Sequence, residues 1–267
     1  ILPMARLFSR ELRGLTKLET ALSARWNGTK VCVVPGDADQ DEHVLHEVGR
    51  SAATRLRSFL QSGSTLAVTG GTTIGQVAAT LPGGTPMNVM VVPARGGIGR
   101  SLETQANTIA CEIARRLGGH HRMMHLPDLL DEQALNEMRK LKEIDETLAL
   151  LERADVVLHG IGRADEMARK RQLPPAVEAE VLKRGAVSEA YGCYFDRNGK
   201  MVCSASTVAH DLGKLKPDCA WIAVAAGTGK AEAIDGAMRA KPHRMLVTDE
   251  GAAKAILALP EKECLHA

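Results

Sequence analysis

The chain repeats one pattern, in which a short continuous apolar run is followed by a glycine-containing turn and then a helical segment. The clearest runs are VCVVPGD at 31–37, LAVTGGTT at 66–73, VMVVPARGGIG at 89–99, DVVLHGIG at 155–162, AWIAVAAGTGK at 220–230 and RMLVTDEG at 244–251. Continuous apolar strands that alternate with helices are typical of parallel sheets covered on both faces. The sequence therefore predicts an α/β fold, with three αβα layers around a mainly parallel sheet.

Composition excludes several classes of protein. The 267 residues are 45% hydrophobic and 25% charged, which fits one large or two small globular domains. Aromatic residues make up only 3%, too few for the stacking platforms of single-stranded nucleic-acid binders. The formal net charge of +2 is far from the basic excess that a duplex-binding domain carries. We therefore expect any DNA-binding element to lie outside this chain.

Neither a metal site nor a membrane segment is indicated. The six cysteines include no CxxC pair, so we expect free, buried thiols in a reducing cytoplasm. The pairs His43/His46 and His121/His125 have suitable spacing for two imidazoles, but no HExxH motif or companion carboxylate accompanies them. No apolar run approaches a membrane span, and the charged start is broken by Pro3. The sequence predicts a soluble, cytoplasmic protein without a metal or another cofactor.

The first segment has the spacing of an amphipathic helix. Between Leu7 and Leu22, leucines recur every three to five residues, with charged residues between them. This helix is a candidate linker or dimer seam. Because it holds fewer than three clean heptads, packing on its own domain is an equally good interpretation.

Four glycine-rich turns follow predicted strands, namely GGTT at 70, ARGGIG at 94, HGIG at 159 and AGTGK at 226. In an open α/β sheet these turns meet at the carboxyl ends of the strands, where ligands bind. Thr72 and Thr73 offer hydroxyl and amide donors at a helix start, and Arg95 and Lys230 add cations. A single such turn is explained by helix capping alone. Several together predict a site for a phosphorylated small molecule.

Common nucleotide motifs do not fit these turns. The GTGK segment lacks the Walker A spacing and is followed by Ala231. Gly160 and Gly162 are followed by Asp165 where a dinucleotide fingerprint has glycine. The basic cluster ARKRQ at 168–172 is either a solvated helix face or a second anionic handle across the crevice.

Several motifs together resemble the sugar-binding domain of the SorC family of bacterial transcriptional regulators. They are TGGTT, VVPARGG, QANTIA, HGIG followed by MARKRQLP, SEAYGCYF, GTGK and VTDEGAAKAIL, and the resemblance runs from about Leu15 onward. It implies a fold similar to sugar-phosphate isomerases, glucosamine-phosphate deaminases and CoA transferases, without catalysis. It also implies a phosphorylated sugar effector, fructose 1,6-bisphosphate in the members that repress glycolytic operons.

The resemblance further implies how the chain is organised. Residues 1–24 would be a linker helix and residues 25–267 the phosphosugar effector-binding domain. Operator DNA would be bound through an amino-terminal domain that is not present in this chain. We also expect a homodimer or a higher oligomer, since operators with repeated half-sites are matched by protein spacing.

Site residues follow from the same resemblance. The family's phosphate-binding motif matches Gly71, Thr72, Thr73, Arg95 and Lys230. Gln105 and Glu189 would contact sugar hydroxyls. A basic residue among Arg169, Lys170 and Arg171 would hold a second phosphate, with Arg171 preferred.

Two other function classes stay open at this point. A sugar-phosphate isomerase or deaminase would need a general base, for which Asp165, Glu166 and Glu189 are available. A purely structural or oligomerisation module would bind no ligand at all.

Overall fold

The computed structural model describes residues 14–95, 104–126, 132–204 and 215–260. The helices in these ranges are α1 (Leu15–Arg25), α2 (Glu42–Leu56), α3 (Thr72–Thr80), α4 (Ala106–Leu117), α5 (Glu132–Met138), α6 (Lys142–Glu152), α7 (Ala164–Lys170), α8 (Pro175–Lys183), α9 (Ala231–Ala240) and α10 (Glu250–Leu257). The strands are β1 (Lys30–Val34), β2 (Thr65–Val68), β3 (Met90–Pro93), β4 (His120–His121), β5 (Val156–Gly160), β6 (Gly162–Arg163), β7 (Ala186–Ala190), β8 (Cys193–Asp196), β9 (Met201–Ser204), β10 (Ala220–Val224) and β11 (Met245–Asp249).

Seven strands form one parallel sheet in the order β1, β11, β10, β5, β2, β3, β4. Six of these strands lie at the six apolar runs that the sequence pattern identified, so the predicted parallel α/β sheet is confirmed. The seventh strand is β4 (His120–His121), a two-residue edge strand that the sequence pattern did not identify.

Alternate residues of the strands serve two separate cores, one on each face of the sheet. In β2, Leu66 and Val68 belong to the core shared with α2, α3 and α4, while Ala67 belongs to the core on the opposite face. All three side chains are fully buried. Because both faces are covered, the strands are continuously apolar rather than alternating.

The first described helix packs on this domain. Leu15 and Leu22 of α1 are fully buried in the core that also holds α6, α9 and α10. Glu19 Oε1 accepts a hydrogen bond from Val33 N of β1 at 2.8 Å. Of the interpretations of this segment, packing on its own domain describes Leu15–Arg25, and residues 1–13 lie outside the described ranges. The division between residues 24 and 25 stays a prediction.

A second, antiparallel sheet was not foreseen from the sequence. It has the order β6, β7, β8, β9, and β6 follows β5 after the single residue Ile161. β7 and β8 form a hairpin whose two turn residues, Tyr191 and Gly192, have φ of 43° and 94°. Two positive φ values match the twist of a tight hairpin. This sheet places Glu189 close to the carboxyl end of β5, because Glu189 pairs with Gly162.

No helix in the described ranges combines the length and the apolar character needed to cross a bilayer. Five cysteines lie in these ranges and all are free thiols, as expected. Cys32, Cys193 and Cys219 are buried, but Cys111 is exposed on α4, contrary to the expectation of burial.

Candidate functional site

The order of the parallel strands places a crevice between β2 and β5. From β2 the chain proceeds outward to β3 and β4, then returns to β5 on the other side of β2 and continues to β10 and β11. A reversal of this kind opens a crevice at the carboxyl ends of the two strands, which is where ligands bind in open α/β sheets. The GGTT turn (70–73) and the HGIG turn (159–162) border it, and Gly160 N donates to Thr69 Oγ1 at 3.3 Å.

The local backbone requires glycine at both positions of the GGTT turn. Gly71, the residue preceding α3, has φ of 115°, a conformation that only glycine adopts readily. A Cβ on Gly70 would lie 2.5 Å from Thr104 O, and Gly71 N donates to that same carbonyl at 2.8 Å. The close approach brings Gln105, which directly precedes α4, to the crevice.

The amino terminus of α3 faces the crevice without a capping side chain, since Gly71 has none. Thr72 is exposed and Thr73 is buried with 8% exposure. The first-turn amides of a helix have no partner within the helix, and its dipole favours an anion there.

Glu189 is the centre of a buried charge cluster. Its Oε1 accepts hydrogen bonds from Arg95 Nη1 at 3.2 Å, from Arg171 Nη2 at 2.9 Å and from Gly192 N at 2.8 Å. The Glu189 and Arg95 side chains are each 5% exposed. Burial alone would raise the pKa of Glu189, but Arg171, Arg95 and the Gly192 amide together hold it below the ordinary value. We call these residues the Glu189 cluster.

The three consecutive basic residues at the end of α7 differ in their contacts with this cluster. Arg171 points inward, is 17% exposed and contacts Glu189. Arg169 pairs with Asp165 at 3.0 Å, and Lys170 lies 3.7 Å from Glu166, with exposures of 64% and 68%. Arg171 is therefore the one of the three directed into the site, in line with the preference stated above, while a ligand contact there stays a prediction.

Lys230 ends the GTGK turn (227–230) and precedes α9. Its ammonium makes no ion pair or hydrogen bond within the described ranges, although Glu166 and Asp39 are near enough to act on it electrostatically. Burial lowers the pKa of Lys230, the nearby Lys170 lowers it further, and the carboxylates partly oppose this shift. A partly desolvated ammonium at a helix start is suited to a phosphate.

Two aspartates that sequence reasoning missed accept hydrogen bonds from Thr228 and Gly229 of the GTGK turn. Thr228 Oγ1 donates to Asp37 Oδ2 at 2.7 Å, and Gly229 N donates to Asp39 Oδ2 at 2.7 Å. Both aspartates come from the PGDAD segment after β1. The only sequence signal was that this segment follows a strand, and therefore lies at the same edge of the sheet.

A third carboxylate connects three segments at this edge. Asp249 Oδ2 accepts hydrogen bonds from Ala38 N at 2.7 Å and Gly227 N at 2.9 Å, and Oδ1 accepts one from Ala252 N at 2.9 Å. Burial raises the pKa of Asp249, and these amides offset part of the shift. Asp249 therefore ties the β1 loop and the GTGK turn to α10.

The histidine of the HGIG turn faces the core rather than the crevice. His159 is fully buried, and its Nε2 lies 3.0 Å from Nε2 of His243. Each Nδ1 lies beside a backbone carbonyl, that of His159 3.0 Å from Gly160 O and that of His243 2.7 Å from Lys241 O. Two neutral imidazoles carry two N–H groups in total, so two of these three contacts have a proton between the partners. Burial lowers the pKa of His159 to about 4 and that of His243 to about 3. Both rings are neutral structural groups at pH 7.

The structure thus gathers the predicted site residues along one edge, in two contacting groups. Arg95, Arg171 and Glu189 touch directly, and Gly71 contacts the segment that carries Gln105. Lys230 follows β10, three strand spacings from β3, which corresponds to roughly 14 Å. Residues 96–103, which include the rest of the ARGGIG turn, lie outside the described ranges.

Comparison with known proteins identifies the family of this chain. The family model for the sugar-binding domain matches residues 10–258. Two relatives named central glycolytic genes regulator, from Priestia megaterium and Bacillus subtilis, are 40% and 36% identical over 251 and 249 residues. Each alignment covers 93% of this chain and 73% of the relative. A solved SorC family transcriptional regulator from Enterococcus faecalis matches with a TM-score of 0.83 and 33% identity, covering 90% of this chain and 99% of that chain.

Proposed function

The chain belongs to the SorC family of transcriptional regulators, as its sugar-binding domain, and we propose that it senses a phosphorylated sugar for a repressor of glycolytic genes. The effector that we propose is fructose 1,6-bisphosphate. The observation that carries the proposal is the Glu189 cluster, which directs two guanidinium groups and a carboxylate to one end of the crevice between β2 and β5.

A bisphosphate suits a site with cationic groups at both ends. At one end are the first-turn amides of α3 and the partly desolvated Lys230. At the other end are Arg95 and Arg171, which both donate to Glu189 Oε1. Arginine binds phosphate oxygens in a planar fork, and lysine acts as a compact charge. We therefore propose that Gly71, Thr72, Thr73 and Lys230 hold one phosphate, and that Arg171, with Arg95 beside it, holds the other.

Glu189 and Gln105 are proposed to bind sugar hydroxyls. All three hydrogen bonds that Glu189 accepts within the described ranges go to Oε1, so Oε2 is available as an acceptor. Gln105 lies beside the GGTT turn through the contact of Gly70 and Gly71 with Thr104. A carboxylate and an amide next to bound phosphates supply the orientation that distinguishes one sugar from another.

The chemistry of Glu189 favours a sensor over an isomerase or deaminase. A general base works best when its pKa lies near the working pH. The pKa of Glu189 lies below its ordinary value, because two arginines stabilise the carboxylate form. An assay for conversion of fructose 6-phosphate, glucosamine 6-phosphate and fructose 1,6-bisphosphate tests this, and detectable turnover would favour the enzyme instead.

Titration calorimetry tests the effector. Fructose 1,6-bisphosphate should bind more tightly than fructose 6-phosphate, since only the former engages both ends of the site. Thr73→Val should weaken the bisphosphate by roughly 1–3 kcal/mol, the cost of removing a partner from a buried polar group. Thr80→Val, at the other end of α3, is the matched control and should bind normally. Equal affinities for the two sugars would remove the case for a second phosphate site at Arg171.

The route from the sugar to DNA is also part of the proposal. We propose that residues 1–24 link this domain to a DNA-binding domain outside the chain, that the chain forms a homodimer or higher oligomer in the cytoplasm, and that the sugar shifts its association. A ligand changes an equilibrium only through unequal affinity for the two states. Analytical ultracentrifugation with and without the sugar, together with a gel shift on operator DNA, tests these points. Specific operator binding by this chain alone would contradict the division of labour.

A further inference from the structure

A cleft of about 820 Å³ opens at the opposite edge of the parallel sheet, where the strands begin. Its walls come from the segment after α1, the start of β1 and the connection between α9 and β11. This volume is in the range of pockets that bind small molecules, roughly 300–1,000 Å³. The cleft is distinct from the candidate site, which lies at the carboxyl ends of the strands.

The charged side chains that line the cleft are all lysines and arginines. Its lining contains no aspartate or glutamate within the described ranges and five cations, Arg25, Lys30, Arg239, Lys241 and Arg244. Two of the cations are neutralised from behind, because Arg25 and Arg239 each approach the buried Asp235 to 2.9 Å. We call this feature the basic cleft.

The remaining three cations, Lys30, Lys241 and Arg244, make no ion pair within the described ranges. They are brought together by strand pairing, since Lys30 N donates to Arg244 O at 3.3 Å where β1 lies beside β11. The Lys241 ammonium lies 4.3 Å from the ring centre of Trp221. Burial lowers the pKa of Lys241. Three cations without an ion-pair partner in the described ranges therefore line one space, where an anion would be attracted to all of them.

We propose that the basic cleft binds a small molecule that carries a polyphosphate chain or several phosphate groups. Three cations, one at the start of β1 and two in the connection between α9 and β11, line one concave space, which suits several negatively charged oxygens on one compact ligand. Trp26, Phe59 and Met238 add apolar contact surface to a lining that is otherwise mainly polar. A DNA duplex is the competing occupant, and the test separates the two.

The two tryptophans of the chain report on this cleft directly. Trp26 lines it, and Trp221 lies beneath Lys241. Tripolyphosphate, used as the probe, should therefore change the intrinsic tryptophan fluorescence in a saturable titration. Lys230→Ala, which alters the other edge of the sheet, should give the same midpoint. A response that disappears in Lys230→Ala would place the anion at the candidate site and overturn the proposal.

Substitutions in the cleft complete the test. Lys241→Ala and Arg244→Ala should each weaken tripolyphosphate by about tenfold, the effect expected from removal of one charge-assisted contact. Lys183→Ala, on exposed α8, is the matched control and should leave the midpoint unchanged. Circular dichroism confirms that each variant is folded. Unchanged affinity in both cleft variants would overturn the proposal, and so would a fluorescence response to duplex DNA that exceeds the response to tripolyphosphate.

Discussion

The Glu189 cluster provides the sharpest test of how the site is built, through the variant Glu189→Gln. The substitution keeps the shape of the side chain and an oxygen for Gly192 N, but it removes the negative charge that faces Arg95 and Arg171. Removal of one partner from a buried ion pair costs about 3–5 kcal/mol. Because glutamine can still accept hydrogen bonds, we expect the lower end, about 3 kcal/mol.

Urea and thermal denaturation followed by circular dichroism measure this loss. For a chain of this size, each kcal/mol corresponds to about 2–4 °C in Tm, so the Tm should fall by about 6–12 °C. Glu232→Gln is the matched control, because Glu232 pairs with Arg197 at 2.9 Å on the surface with 45% exposure. Such a surface pair contributes about 0–1 kcal/mol.

The pH dependence provides a second check on the same variant. Since the pKa of Glu189 is lowered from its ordinary 4.5, its contribution is fully present above that value and is lost as the pH falls through the folded-state pKa. The difference between wild type and Glu189→Gln should therefore be constant near neutral pH and shrink only in acid. If Glu189→Gln were as stable as Glu232→Gln at neutral pH, the electrostatic account of the cluster would be wrong.

Three further predictions follow from other parts of the structure. Lys230→Ala should weaken binding of the phosphosugar by at least roughly 1–3 kcal/mol in calorimetry. Because the pKa of Lys230 is lowered, wild type should lose affinity at alkaline pH, and this loss should be absent in the variant. Unchanged binding would show that the GTGK turn has only a structural role. Gly227→Ala should destabilise the fold by at least roughly 1–3 kcal/mol in urea denaturation, because φ is 104° and a Cβ would collide with Asp39, whereas Gly83→Ala should be neutral. The free energy of unfolding should fall by about 2 kcal/mol for each of His159 and His243 between about pH 7.5 and about pH 5, since only the unfolded imidazoles bind protons in that window; a flat profile would show that the pair is not buried as described.

The parallel sheet could be predicted from the sequence because its signal is local. Each run of four or five apolar residues is buried on both faces, and three of the runs are followed by a glycine with positive φ, namely Gly36, Gly71 and Gly227. The antiparallel sheet lacks this signal. Its strands have two to five residues, and polar Ser188 and Glu189 are buried by their surroundings rather than by a periodic pattern.

The site could be predicted only in part, because its contacts join distant segments. Arg95 and Arg171 meet Glu189 through the placement of β7 beside β6, which no spacing in the sequence encodes. Arg171 reaches Glu189, whereas Arg169 and Lys170 pair with Asp165 and Glu166 on α7 itself, and three consecutive basic residues give no sequence signal that distinguishes them.

The roles of the aspartates and of the basic cleft were missed for the same reason. Asp37 and Asp39 follow β1, whereas the turn that they bind follows β10. Lys30 and Arg244 become neighbours only because the last strand of the sheet in sequence, β11, pairs with the first, β1. Strand order, rather than composition or periodicity, decides which charges share a surface.

A crystal structure of this chain with fructose 1,6-bisphosphate tests whether the crevice between β2 and β5 is the effector site. We expect the sugar in the crevice between β2 and β5, with one phosphate at the first turn of α3 and Lys230 and the other at Arg171. We also expect a sugar hydroxyl on Glu189 Oε2. Electron density for the sugar away from this crevice, or a crevice that stays empty at saturating sugar in crystals where the site is open to solvent, would contradict this expectation.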